Sequence, residues 1–179
     1  MNATLQARSD FKVIARWIPQ NARVLDLGCG DGSLLQFLTQ TRGVHGYGVE
    51  ISPENIVACV RNGVNVIQND LETGLAEIET DSFDFVILSQ TLQAMRHTEA
   101  VVDEMLRVGG QAIMSFPNFG YWRIRLAVVR GNMPVSENLP YEWYDTPNVH
   151  LCTIDDFERF CAKRKVHICV RVVLNDGRE

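Results

Sequence analysis

The chain has 179 residues, 46% of them apolar, with 17 basic against 22 acidic side chains and a net charge of −5. That is enough for one substantial core in one domain, and the acidic balance argues against a broad nucleic-acid or anionic-membrane surface. No apolar run approaches a bilayer span, and the N-terminus lacks the charged-then-apolar order of an export signal, so a cytoplasmic protein is expected. The opening "MNATLQARSDFKVIARW" reads as an amphipathic helix, with Phe11, Ile14, Ala15, Trp17 and Ile18 near one face. From Arg23 strand and helix patterns alternate. "RVLDLG" is followed by the helix "SLLQFLTQ", the strand "VHGYGVEI" and the helix "PENIVACVRN", where Pro53 suits the first turn and Ser52 can cap it. "VNVIQNDL" is the third strand, and the stretch around "GLAEIETDS" is poorly periodic. The near-continuous apolar run "FDFVILSQ" is typical of a strand covered on both faces. "HTEAVVDEMLRVG" is helical and closed by Gly109–Gly110, "QAIMSF" is the fifth strand, "TIDDFERFCAKRK" is a helix capped by Thr153, and "VHICVRVVL" reads as a last strand. Five strands joined by helical crossovers imply an α/β fold with a doubly wound, mostly parallel sheet.

The five cysteines form no CxxC pair and are expected to stay reduced. His150-x-Cys152 and His167-x-Cys169, with Cys161 between, can be drawn as a zinc site. The close ligand pairs of zinc knuckles are missing, however, and the cysteines read as small core residues, so no metal is assigned.

The glycine loop Gly28-Cys-Gly30-Asp-Gly32 leaves the first strand at its C-terminal end, where doubly wound sheets bind ligands. Glu50, about twenty residues on, can accept hydrogen bonds from a ribose, and Asp70 after the third strand can accept from an adenine amino group. The G-x-G-x-G spacing departs from the dinucleotide pattern, and Asp31 and Asp26 would repel a pyrophosphate. The same carboxylates suit a ligand carrying an ammonium and a sulfonium. "VLDLGCGDG", Glu50 and Asp70 together resemble the cofactor motifs of class I S-adenosylmethionine (SAM)-dependent methyltransferases. That resemblance implies a Rossmann-like fold with Asp26, Gly28 and Gly30 near the methionine part, Glu50 on the ribose, Asp70 on the adenine, and Ser89 and Gln90 flanking the sulfonium. The neighbours Cys29, Ile51 and Leu71 complete the implied set for SAM or S-adenosylhomocysteine.

The segment from Phe116 to Tyr144 concentrates seven of the chain's fifteen aromatics, with Arg123, Arg125 and Arg130, which marks it off from the strand-helix alternation before it. It fits a lid over a substrate, a docking surface with aromatic anchors, or packing over the sheet. "GYWRIRLAVVRG" within it reads as a short helix. No general base stands out, since His97 and His150 are isolated, and no G-x-S-x-G elbow is present, so no catalytic residue is assigned.

"RVLDLGCGDGSLL", "MSFPNFGYWRIRL" and "GNMPVSENLPYEWYDTPNVHLCTIDDF" resemble the MetW family of bacterial methionine-biosynthesis proteins over nearly the whole chain. The resemblance implies one methyltransferase-like domain over 1–179, with 117–150 a cap or docking segment. It also implies physical support of the homoserine O-acyltransferase MetX, for which the composition of the aromatic segment offers Tyr121, Trp122, Arg123, Trp143 and Tyr144 as partner-binding residues. The alternative is a SAM-dependent methyltransferase acting on a small molecule. The family's sheet continues with a further strand past "NDGRE", so an incomplete sheet edge is expected.

Overall fold

Each amphipathic or apolar run of the first two-thirds of the chain becomes one element of a layered α/β structure. The computed structural model describes residues 8–136 and 139–174. In chain order the elements are α1 (Ser9–Trp17), β1 (Arg23–Leu27), α2 (Ser33–Arg42), β2 (His45–Glu50), α3 (Pro53–Arg61), β3 (Asn65–Gln68), β4 (Phe83–Ser89), α4 (Thr98–Val108), β5 (Gly109–Ser115), α5 (Trp122–Val129) and α6 (Ile154–Lys163). The first seven residues of the expected N-terminal helix, and the "NDGRE" end on which the incomplete edge was expected, lie outside the described residues.

The chain divides into two compact units, one running to Ser89 and including His97–Met114 and the residues from Val172, the other formed by Gln90–Arg96 and Ser115–Arg171. The first unit holds the sheet, in strand order β3-β2-β1-β4-β5. β1 pairs in parallel with β2 and β4, and β2 with β3. The chain winds outward through β1, β2 and β3, then crosses back to β4 on the other side of β1. This reversal places the C-terminal end of β1 at the switch point where such sheets bind ligands.

Pleating sends alternate β1 and β4 side chains to opposite faces. Val24, Phe85 and Ile87 join Phe11, Ile14 and Ile18 of the N-terminal segment and Leu34, Leu35 and Leu38 of α2 in one core cluster. Leu25, Val86 and Leu88 on the alternate positions are fully buried, as are Val102 and Met105 of α4. The helix read over the third amphipathic run starts as its sequence requires: Pro53 occupies its first turn and Ser52 Oγ accepts from the Asn55 amide at 3.4 Å.

Two expectations change. The fifth strand, read as starting at Gln111, starts two residues earlier: Gly109 closes α4 as expected, its amide donating to the Met105 carbonyl, and both glycines also open β5. A Cβ on Gly109 would stand 2.4 Å from Val86 Cγ2, so glycine there permits the close approach of β5 to β4. Residues 166–174, read as a strand, are not one. Their β-branched content favours extended backbone, but a strand exists only when its N–H and C=O groups meet a ladder partner, and Ile168, Val170 and Val173 are exposed.

The poorly periodic stretch after β3 contains a single 3-10 turn, Leu71–Thr73. Its continuation is fastened by side chains of α4: Arg107 donates to the carbonyls of Leu75 at 2.9 Å and Ile78 at 2.8 Å, and Glu104 accepts from the Leu75 amide at 3.0 Å.

In the second unit, α6 begins with a reciprocal capping box between Thr153 and Asp156. Phe157 of this helix packs on Phe116 with ring centroids 4.9 Å apart, and Phe119 donates its amide to the Cys152 carbonyl at 3.0 Å. Ile124, Leu139 and Cys161 are buried there.

Candidate functional site

Between β1 and α2 the chain must turn sharply while leaving room at the strand end. Gly28, Gly30 and Gly32 all have positive φ, at 66°, 56° and 78°, a backbone state that side chains with a Cβ rarely adopt. The loop they form is fixed from several sides. Gly28 and Cys29 donate their amides to the Val49 carbonyl at 2.8 and 3.1 Å, joining the loop to β2. Gly30 donates to Glu50 Oε2 at 2.8 Å. Glu50 Oε1 accepts from the amides of Ile51 and Ser52, both at 2.9 Å, so this buried carboxylate organises both the glycine loop and the turn into α3. A carboxylate offers about four acceptor positions. Three are filled, which leaves room for a further donor at Oε2.

Asp31 Oδ1 accepts from the Ser33 amide at 3.0 Å, so a carboxylate already sits over the first turn of α2. An anionic group brought to that helix end would meet like charge. The loop carbonyls turn toward α3 and the residue after it: Cys59 Sγ lies 3.1 Å from the Gly30 carbonyl, and Asn62 Nδ2 donates to that of Asp31 at 2.8 Å. Asp70 Oδ1 caps the 3-10 turn through the Glu72 amide at 2.9 Å. Ile51 is exposed, while Leu71 and Ser89 are half-buried.

Asp26 is the unusual member. It is 2% exposed at the C-terminal half of β1, and no described group donates a hydrogen bond to its carboxylate. Burial, and secondarily the charge of Glu50, pushes its carboxyl pKa up to about 8. Between its ordinary value and about 8 the folded chain therefore holds a proton here that the unfolded chain has lost. Stability contributed by this group is fully present below the unfolded pKa and is lost as the pH rises through the folded one. Asp26→Asn, which cannot ionise, is expected to melt above the wild type by a margin that widens from about pH 5 to about pH 8 and then stays constant. Thermal denaturation across that range checks this, and a pH-independent margin would count against it.

Thus Asp26, Gly28, Cys29, Gly30, Glu50, Ile51, Asp70, Leu71 and Ser89 fall in the first unit, and the loop and its carboxylates stand at the switch point. Gln90 belongs to the second unit. Its φ of 55° is unusual for a residue with a side chain, and the turn is held by its amide donating to the Ser115 carbonyl at 2.9 Å and by Gln93 Nε2 donating to its carbonyl at 2.7 Å. The Gln93 carbonyl in turn accepts from the amides of Val149 and His150, at 2.8 and 3.0 Å.

The same unit carries the aromatic segment. Trp122 is 59% exposed, Trp143 71% and Tyr144 72%, whereas Tyr121 is half-buried. Arg123 stacks its guanidinium 5.4 Å from the Trp122 ring centre, and the Trp143 and Tyr144 rings meet edge to face at 5.7 Å. Glu137 and Asn138 of this segment lie outside the described residues. Sequence reasoning places neither Cys59 nor Asn62 at the glycine loop. Their contacts come from how α3 folds back, which no local pattern encodes.

A family model described as methionine biosynthesis protein MetW matches residues 8–179. The bifunctional methionine biosynthesis protein MetXA/MetW of Rhodopirellula baltica is 40% identical over 169 residues, which is 89% of this chain and 27% of that protein. The ubiquinone biosynthesis O-methyltransferase of Xylella fastidiosa is 32% identical over 139 residues, 72% of this chain and 55% of that protein. The chain therefore spans about half or less of the length of these curated relatives. Among solved structures, a SAM-dependent methyltransferase of Thermotoga maritima, described as a possible histamine N-methyltransferase, matches with a TM-score of 0.64 and 17% identity over 87% of this chain and 68% of its own. YcgJ of Bacillus subtilis matches with a TM-score of 0.65 and 17% identity over 86% of this chain and 66% of its own. These likenesses, with the parallel five-stranded sheet, give the class I SAM-methyltransferase fold.

Proposed function

This chain belongs to the MetW family of methionine-biosynthesis proteins, and from that premise we propose that it binds SAM or S-adenosylhomocysteine and supports a MetX-type homoserine O-acyltransferase as a physical partner in the cytoplasm. The observation that carries the partnership is the Rhodopirellula relative, whose name joins MetXA and MetW in one bifunctional polypeptide. Two functions carried on one chain in one organism are natural partners as separate chains in another. The exposure of Trp122, Trp143 and Tyr144 supports an aromatic docking surface, since residues filling a core would be covered.

The ligand reading draws on the charge of the loop. Asp31 over the first turn of α2 disfavours a pyrophosphate, and Asp26, buried with no donor to its carboxylate among the described residues, suits the ammonium of a methionine moiety. Glu50 keeps an acceptor position for one ribose hydroxyl. Asp70, with one oxygen engaged in its cap, offers the other to an adenine amino group.

The test is calorimetry with S-adenosylhomocysteine, followed by acyltransferase assay of the co-purified pair with and without it. Micromolar binding, about −8 kcal/mol, is expected. Because a cation beside Asp26 favours its ionised form, binding near neutral pH is expected to release a proton, read from titrations in buffers of different ionisation enthalpy. No heat and no thermal shift would remove the ligand reading. Radiolabelled methyl appearing steadily in a small-molecule product of the isolated chain would favour the methyltransferase reading instead, which the fold alone permits.

A further inference from the structure

We propose that Cys59, on the last turn of α3, is a positioning residue of the glycine loop, its thiol S–H holding the Gly30 carbonyl so that the loop keeps its ligand-binding shape. The inference rests on the reading of that loop as the SAM or S-adenosylhomocysteine site. Turns with positive φ expose backbone groups that need partners. At Gly30 both are supplied by side chains: Glu50 takes the amide at 2.8 Å and Cys59 donates to the carbonyl, with Sγ 3.1 Å away. Asn62 repeats the arrangement one residue later on the Asp31 carbonyl, and its own carbonyl accepts from Gln36 Nε2 of α2 at 3.0 Å. The end of α3 thus holds the loop through its carbonyls, while Glu50 holds it through the Gly30 amide.

The surroundings are shaped to the sulfur atoms. Cys59 is fully buried and its Sγ lies 3.7 Å from Cys29 Sγ. A Cβ on Gly32 would stand 3.1 Å from Cys59 Sγ, and one on Gly48 would stand 2.4 Å from Cys29 Sγ, so glycine at both positions makes room for the thiol pair. Burial first, and then the nearby charges of Glu50, Asp31 and Asp26, push the Cys59 thiol pKa up against the opposing hydrogen bond from Cys29. Burial, with Asp26 and Cys59, pushes that of Cys29 up. Both thiols therefore stay protonated, and the Cys59 S–H remains a donor at physiological pH. A thiol in this setting is inert as a nucleophile, which fits a role in holding rather than reacting.

Cys59→Ser keeps a donor, Cys59→Ala removes it, and Cys161→Ala deletes a buried thiol of the second unit as a control for lost packing. Backbone hydrogen exchange of the ligand-free proteins over residues 29–33 and calorimetry with S-adenosylhomocysteine are the two readouts. Cys59→Ala is expected to exchange the loop amides faster and to bind about fivefold to tenfold more weakly, the scale of one lost hydrogen bond. Cys59→Ser is expected to stay within about twofold of the wild type, and Cys161→Ala to change neither readout. Wild-type behaviour of Cys59→Ala, or equal impairment of the serine and alanine variants, overturns the proposal. If the wild type binds no S-adenosylhomocysteine the ligand reading falls, while the exchange rates still decide whether Cys59 holds the loop.

Discussion

Glu50→Ala is expected to lose both stability and ligand binding. The carboxylate is 7% exposed and accepts from three backbone amides, those of Gly30, Ile51 and Ser52. Truncation leaves three donors without a partner where water has little access, at about 1–3 kcal/mol for each unsatisfied group. Two effects soften the loss. Water entering the vacated volume recovers part of it, and removing the Glu50 charge relieves Asp26, whose raised pKa it helps to cause. A net destabilisation of roughly 2–5 kcal/mol remains. Binding of S-adenosylhomocysteine is expected to fall by more than about a hundredfold, because the loop loses its shape as well as the free acceptor at Oε2. Glu50→Gln separates the contributions. Its single carbonyl oxygen can still accept from Ile51 and Ser52, but its NH₂ group would face the Gly30 amide, donor against donor. It should therefore fold better than the alanine variant and bind almost as poorly. A Glu50→Ala protein that melts like the wild type would show that the three hydrogen bonds contribute nothing.

The contrast between Glu50 and Cys59 shows what can be read without coordinates. Glu50 is legible because a carboxylate at the end of the second strand of a doubly wound sheet has little structural reason to be there unless something donates to it. Its distance along the chain from the glycine loop points to a ribose, yet the structure shows three backbone donors already in place, a role that spacing alone does not suggest. Cys59 looks like any small apolar residue of an amphipathic helix, and only the packing of α3 against the loop gives its sulfur a partner. β4 is legible because its buried run is self-sufficient: Phe85, Val86, Ile87 and Leu88 are covered on both faces. The segment after α6 has similar side chains but pairs with no strand among the described residues, and composition cannot supply a ladder. Gly109 shows the same limit at a single position, since the Val86 methyl that excludes a side chain there belongs to another strand.

Trp122→Ala and Trp143→Ala are expected to abolish stimulation of the acyltransferase while leaving the isolated chain folded. The two side chains are 59% and 71% exposed, so little buried area is lost on truncation and the melting temperature should barely move. A core tryptophan behaves differently, costing about 3–5 kcal/mol when reduced to alanine. In a partner complex the order reverses. An aromatic ring that becomes covered at an interface is worth about 2 kcal/mol or more, roughly a thirtyfold loss of affinity on truncation. Trp122 also carries the Arg123 guanidinium on its face, so its removal frees a cation that the ring had oriented, and Trp143→Ala deprives Tyr144 of its edge-to-face neighbour. Measuring acyltransferase activity against increasing amounts of each variant, with S-adenosylhomocysteine binding and melting in parallel, distinguishes three results. Lost stimulation with intact binding and melting assigns the interface to this surface. A large fall in melting temperature returns the aromatics to a packing role. Normal stimulation by a stable variant moves the interface elsewhere on the chain, and the exposed Val57 and Val60 of α3 would then be the next positions to change.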